Sequence, residues 1–314
     1  MKPWPLLLLV LILVAPANVR SQTPTTAGEY NNRGLDRQNR GDYDGAIDDF
    51  TKAISLKPKA SELGDVYYNR GNAFIGKNNF DAAISDYSSA IQLKPGEYEY
   101  YYNRGVALQN KNSFDEAIAD FTKAIELFPR FAVGYNNRGN ARMSKNDLDG
   151  AIADYGKALA IAPLSTDTLY NRGIAWQAKG NLDEAIKDFT AVLSISSSFY
   201  LASVNRAVAL LEKGNLDGAI ADYTHALEFK TDDPAIYYGR GSARQKKKDL
   251  NGALTDYDKT IGLDPKHALA YANRGVVKSL QNLPGADADF EMAFRLDPSL
   301  KATYREFSEK RRRP

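Results

Sequence analysis

Short apolar-periodic runs alternate with polar breaks along the whole chain. In residues 67–95, Tyr67, Gly71 and Phe74 fall at i, i+4 and i+7, which places them on one face of a helix. Lys77-Asn78-Asn79 interrupts that run, and Ala83, Tyr87, Ala90 and Ile91 then define a second one. Asp81 lies in the first turn of the second run, where a carboxylate is favoured by the helix dipole. Pro95 closes the segment, because proline cannot continue a helix interior. The pattern predicts two short antiparallel helices.

This unit recurs. Asn-Arg-Gly stands at residues 32–34, 69–71, 103–105, 137–139, 171–173 and 273–275, with the variants Asn205-Arg206-Ala207 and Gly239-Arg240-Gly241. The step from one Arg to the next is 37 once and then 34 six times. A fixed period in this range predicts stacked copies of one supersecondary unit. Such a chain works through a long continuous surface rather than through one catalytic pocket. Small residues recur where helices must approach closely, at the Gly of each motif and at Ala46, Ala83, Ala117, Ala151, Ala185, Ala219, Ala253 and Ala286. Four residues after each Ala comes an aromatic, from Phe50 and Tyr87 through to Phe290. Small and large side chains thus alternate as interdigitated packing requires.

An aromatic opening the first helix, a Gly four residues on, an Ala starting the second helix and a closing Pro together resemble the tetratricopeptide repeat family, over residues 29–298 in eight copies. The resemblance implies an all-α fold, an α-solenoid of antiparallel helix pairs forming a right-handed superhelix. It also implies that the first helices line a concave groove that grips a peptide or protein segment. Three extra residues around Ser61–Asp65 should lengthen a helix or loosen the first junction. The last repeat is one residue shorter in its turn, at Pro284. Ser197 and Thr231 replace the closing Pro and Ser203 the opening aromatic, so a bend is expected around Ser194–Ser198. Ser299–Arg312 is expected to form a polar capping helix, which repeat arrays usually need.

Each second helix carries an Asp at a fixed distance from the Arg of the motif: Arg70 and Asp86, Arg104 and Asp120, Arg138 and Asp154, Arg172 and Asp188 are each 16 apart. Opposite charges matched in every copy predict a structural ion-pair ladder, within a repeat or to the next one; spacing does not choose between these. A ligand-binding Arg would have no reason to keep an Asp partner in each copy. The Asn before each Arg is displaced from it by about 100° on the helix. By resemblance Asn69, Asn103, Asn137, Asn171 and Asn205 face the groove, with Tyr68, Tyr102 and Tyr170 beside them and Asn72 and Asn140 one turn on. A carboxamide donates and accepts, so such a row can hold an extended peptide backbone. The alternative is that these amides bond to neighbouring helices. Where family members that clamp a terminal carboxylate use Lys and Arg, this chain has Tyr, Asn, Val or Ala, which argues against such a clamp.

Leu6–Val14 is a nine-residue apolar run after Lys2, followed by Ala15-Pro16-Ala17. It is the pattern of a cleaved signal peptide and too short to span a bilayer. This predicts residues 1–17 as the signal, 18–28 as a polar leader, a periplasmic or secreted protein, and no transmembrane anchor after cleavage. The formal net charge is +2, and the last ten residues alone carry a net +3, so the rest of the chain is about neutral and leaves no electrostatic footprint for nucleic acid. With no Cys and only His225 and His267, neither a metal site nor a cofactor is expected. Gly71–Lys77 has P-loop spacing, but Asn78 replaces the required hydroxyl residue and no strand precedes it. Lys246-Lys247-Lys248 reads as a solvated basic turn. The expected function is a non-enzymatic scaffold for extended segments of partner proteins. The alternative is a polysaccharide-binding module in envelope glycan export or assembly, since a Tyr/Asn face can also stack on and hydrogen-bond sugars.

Overall fold

The computed structural model describes residues 23–310; the predicted signal peptide and residues 311–314 of the basic tail lie outside the described residues. The chain divides into two compact units, one ending at Pro95 and one beginning at Gly96. The described part of the first holds α1 (Ala27–Asn39), α2 (Tyr43–Ser55), α3 (Ala60–Gly76) and α4 (Phe80–Leu93). The second holds α5 (Tyr98–Asn110), α6 (Phe114–Leu127), α7 (Ala132–Ser144), α8 (Leu148–Ile161), α9 (Thr166–Ala178), α10 (Leu182–Ile195), α11 (Tyr200–Glu212) and α12 (Leu216–Phe229). It continues with α13 (Pro234–Lys246), α14 (Leu250–Leu263), α15 (Ala268–Leu280), α16 (Ala286–Leu296) and α17 (Leu300–Lys310). Within each unit every first helix packs on the second helix of its own repeat, and those after the unit's first repeat also pack on the second helix of the repeat before. This is an all-α solenoid of helix pairs.

The polar breaks have a local cause. After each first helix one residue takes the left-handed conformation, supplied by Asn78 (φ 56), Asn112 (φ 61), Asn146 (φ 62), Gly180 (φ 81) and Gly214 (φ 79). Asn and Gly are the residues that enter this region at least cost. The next residue caps the second helix: the side chains of Asp42, Asn79, Asp147 and Asn215 accept the backbone N–H three residues on, at 2.9, 3.2, 3.0 and 3.0 Å. Such a cap satisfies a donor that the helix itself cannot. Lys248 is the exception in this series, left-handed at φ 67 without being Asn or Gly.

The core is the contact between the Gly of each motif and the aromatic of the second helix. A Cβ on Gly139 would stand 2.7 Å from Tyr155 Cε1, and one on Gly105 would stand 2.8 Å from Phe121 Cε1. Each such glycine costs about 1 kcal/mol of helix propensity relative to Ala. Close approach of a fully buried ring outweighs that cost, since Tyr87, Phe121, Tyr155, Phe189 and Tyr257 are all buried.

The three additional residues near Ser61–Asp65 lengthen a helix: α3 has 17 residues where α1 and α5 have 13. At Ser194–Ser198 the core runs on, with Ala202 of α11 in one cluster with Phe189 and Val192 of α10. Ser203, which replaces an aromatic, is fully buried and its Oγ lies 2.9 Å from His225 Nδ1. Before α16 the shortened turn passes through Gly285 at φ 84, and α17 packs on α15 and α16.

Two departures from the motif compensate each other. Ala207 stands where other repeats have the glycine that faces the ring, here Tyr223. Gly239 stands where other repeats have Asn, and a Cβ there would lie 2.6 Å from Tyr223 Cζ. The Tyr223 ring packs with Ala207 and reaches α13, where glycine at 239 leaves room for it. Propensity alone would make Gly239→Ala stabilising by about 1 kcal/mol. Overpacking costs about 1–3 kcal/mol, so the substitution is expected to lower the urea midpoint. Adding Ala207→Gly should recover part of the loss; a higher midpoint for Gly239→Ala alone would disprove the compensation.

Candidate functional site: the first helices and their exposed side

The motif arginines and the aspartates of the second helices meet within the same repeat. Arg138 donates from Nε and Nη2 to the two carboxylate oxygens of Asp154, at 2.8 and 2.6 Å. The same fork joins Arg70 to Asp86 (2.7 and 2.8 Å), Arg104 to Asp120 (2.7 Å for both bonds) and Arg172 to Asp188 (2.7 Å for both bonds). It recurs at Arg33, Arg206, Arg240 and Arg274. The third nitrogen reaches back one repeat. Arg70 Nη1 donates to Thr51 Oγ1 at 3.0 Å, Arg138 Nη1 to Thr122 at 3.0 Å and Arg206 Nη1 to Thr190 at 2.9 Å. One guanidinium therefore ties its own helix pair and the preceding repeat. An aromatic three residues earlier lids the charge, as Tyr135 does 5.6 Å from the Arg138 guanidinium. The Asp86 hydrogen bond raises the Arg70 guanidinium above its usual pKa, against the opposing effect of burial.

Asn32 is exposed, but the other amides before the arginines are half-buried, and the N–H groups of Asn69, Asn137, Asn171, Asn205 and Asn273 hold the neighbouring repeat. Asn137 Nδ2 donates to Tyr102 Oη at 2.9 Å and Asn205 Nδ2 to Tyr170 Oη at 2.8 Å. Asn273 Nδ2 donates to Tyr238 Oη at 3.0 Å and Asn69 Nδ2 to Asn31 Oδ1 at 3.0 Å. Asn171 Nδ2 is shared between Asn136 Oδ1 at 3.3 Å and Asn140 Oδ1 at 3.2 Å. Asn72 and Asn140 each accept the hydroxyl of a buried ring at 2.7 Å, from Tyr87 and Tyr155 respectively. Asn103 is half-buried on α5, and Tyr68 lies on α3 with its ring 5.9 Å from that of Tyr87.

In the second unit the row has a period of two repeats. Tyr102, Tyr170 and Tyr238 recur every 68 residues, and each meets a ring from the following inter-repeat loop. The partners are Phe131 at 4.9 Å, Phe199 at 5.1 Å and His267 at 4.7 Å between centroids. Asn136, Val204 and Ala272 stand in the alternate repeats. Each tyrosine accepts an Asn N–H, which leaves its own hydroxyl proton to donate. Burial raises the Tyr102 and Tyr170 phenols above their usual pKa, the Asn bonds pulling the other way, so both are neutral donors at ordinary pH.

Two sets of contacts went unread in the sequence. Arg37, Arg142 and Arg244, four residues after a motif Arg, bring a second guanidinium to Asp49, Asp154 and Asp256, and Lys278 does the same at Asp289. The signal was a basic residue one turn after the motif. Along the turns, Lys77 pairs with Asp44, Lys145 with Asp115, Lys179 with Asp149, Lys213 with Asp183 and Lys247 with Asp217. These latch successive repeats, and their signal was the Lys–Asp spacing of 30, or 33 in the first. They are exposed, so each contributes at most about 1 kcal/mol.

Residues 27–60, 64–97, 98–131, 166–199 and 234–267 match the tetratricopeptide repeat, and residues 139–180 and 208–248 match a TPR repeat. The chain belongs to the tetratricopeptide repeat family. Among solved structures it is similar to YrrB, a TPR protein with an unusual peptide-binding site, at 23% identity over 60% of this chain and 97% of that one, with a TM-score of 0.55. It is also similar to the C-terminal part of a TPR repeat-containing protein from Cytophaga hutchinsonii, at 18% identity over 76% and 97%, with a TM-score of 0.66. A third is MamA, at 25% identity over 51% and 94%, with a TM-score of 0.50. The likeness is one of fold. No curated protein matches the chain.

Arg138 and Asp154 are the most buried pair, with side chains 9% and 1% exposed. Arg138→Ala leaves a buried carboxylate short of its main partner and should cost about 3–5 kcal/mol. The exposed control Arg130→Ala should stay within about 0.5 kcal/mol. Chemical denaturation of both variants checks this, and equal midpoints would remove the ladder from the account of stability.

Proposed function

We propose that the protein is a non-enzymatic scaffold whose first helices hold an extended segment of a partner protein. The observation that carries this is what the row leaves unused. Tyr102 and Tyr170 accept an Asn N–H and keep an O–H to donate, while Asn171 and Asn205 use Nδ2 within the array and keep Oδ1 to accept. An extended peptide offers one N–H and one C=O per residue. Packed helices lie about 8–10 Å apart, so stations two repeats apart are separated by about 20 Å, or about six extended residues. The row is held by contacts between repeats, so a ligand meets groups that are already positioned. In the wider family context YrrB is described as having a peptide-binding site, which is a statement about that protein.

Tyr102→Phe with Tyr170→Phe keeps both rings and removes both hydroxyls. Binding of extended peptides, followed by fluorescence anisotropy, should weaken about tenfold in this variant, with helicity unchanged. Unchanged binding would move the function to the outer face of the second helices. Competition by oligosaccharides and not by peptides would establish the glycan-binding alternative.

We further propose export through the leader at residues 1–17. N-terminal sequencing of the protein from an envelope or culture fraction should begin at Asn18; recovery from the cytoplasm with Met1 intact would refute this.

A further inference from the structure

Near the end of the array, beside the turn between α13 and α14, lies a pocket of about 540 Å³. Its apolar walls are Leu250 of α14, Val276 and Leu280 of α15, and Phe307 of α17. Leu280 is 56% exposed there, the second most exposed of the large apolar residues described. Lys246 and Lys248 stand on the rim. The neighbouring Lys247 is paired with Asp217, whereas neither rim lysine has an ion-pair partner among the described residues. Asp249, the adjacent acid, is turned to the cap of α14 and toward Arg244. The backbone at Lys248 is left-handed, a position filled by Asn or Gly in most other repeats. The basic side chain is therefore kept where it costs conformational energy.

We propose that this pocket is the anchoring subsite of the peptide surface, taking an apolar side chain flanked by carboxylates, so that partner segments carry a Leu- or Phe-type residue between Asp or Glu. The inference rests on the peptide-binding reading above and adds the partner's chemistry and its register. The walls bury the apolar side chain, and the two ammonium groups meet the flanking acids at a rim that is open to water and so sensitive to salt. What read in the sequence as a solvated loop becomes a selectivity element once α15 and α17 bring apolar surface beneath it.

The test uses the purified protein and a fluorescent peptide with two leucines flanked by glutamates. Matched peptides carry lysine for glutamate, or serine for leucine. Both changes should weaken binding about tenfold, and the preference over the lysine peptide should shrink as salt is raised. Lys246→Gln with Lys248→Asn should bring the glutamate and lysine peptides to similar affinity, Asn being compatible with the left-handed backbone. Leu280→Ser should weaken the leucine peptides and leave the serine peptide unchanged. Tyr102→Phe with Tyr170→Phe should weaken all peptides in common. Equal affinity of the glutamate and lysine peptides for the unaltered protein would overturn this inference and leave the peptide-binding reading standing. So would discrimination that survives the lysine substitutions, or displacement of the peptide by phosphatidylglycerol vesicles with no effect of peptide charge. Failure of every peptide to bind would overturn both.

Discussion

A charged group inside an α-solenoid has to bring its own partner, and the rest of the array is arranged around that requirement. Each repeat buries an aspartate in its second helix and meets it with a guanidinium from the first. The fork has only one good geometry, because two parallel N–H bonds must reach two oxygens at once. It therefore fixes the rotation of the two helices about their axes. The remaining guanidinium nitrogen, bonded to a threonine of the preceding repeat, transmits the same constraint across the junction. An all-apolar interface of Ala, Leu and Val would tolerate sliding. A forked ion pair does not, and register specification is the best-attested use of buried charge.

The close contact of glycine with an aromatic ring supplies the attraction, and the ladder supplies the alignment. Neither would suffice alone. Rings seated on bare backbone bury much area but offer little directional preference, while paired charges in the interior contribute little net stability after desolvation. The repeat that departs from the motif illustrates the coupling. Ala207 replaces the glycine beneath the Tyr223 ring, and Gly239 leaves room for that ring one repeat later, while Arg206 and Arg240 keep their forks.

Functional capacity arises where the stacking interactions leave something over. The amide row works in two directions, since the Nδ2 groups join neighbouring first helices while hydroxyl protons and carbonyl oxygens remain at the surface. The proposed function and the stacking thus share residues. Side chains that also hold the fold are pre-organised for a ligand, which lowers the entropic cost of binding. The aromatic stations are separated by two repeats, so the period of the proposed binding row is twice the structural one.

Helix pairs, the polar breaks between them and the pairing of Arg with Asp were legible because each depends on residues at fixed spacing within about one period. The sequence by itself determined the unit, its number of copies and the identity of the charged partners. Local geometry decides those, and repetition amplifies the signal. Only the tertiary structure decided that the forks close within a repeat, that the asparagine N–H groups point to the neighbour, and that the turn lysines latch to the aspartates of the repeat before. Only there, too, do Lys246 and Lys248 come to rim a pocket whose apolar walls lie on α14, α15 and α17. These contacts join residues about 30 positions or more apart, or on different helices, and side-chain reach and packing direction, rather than spacing, settle which of several candidates meet.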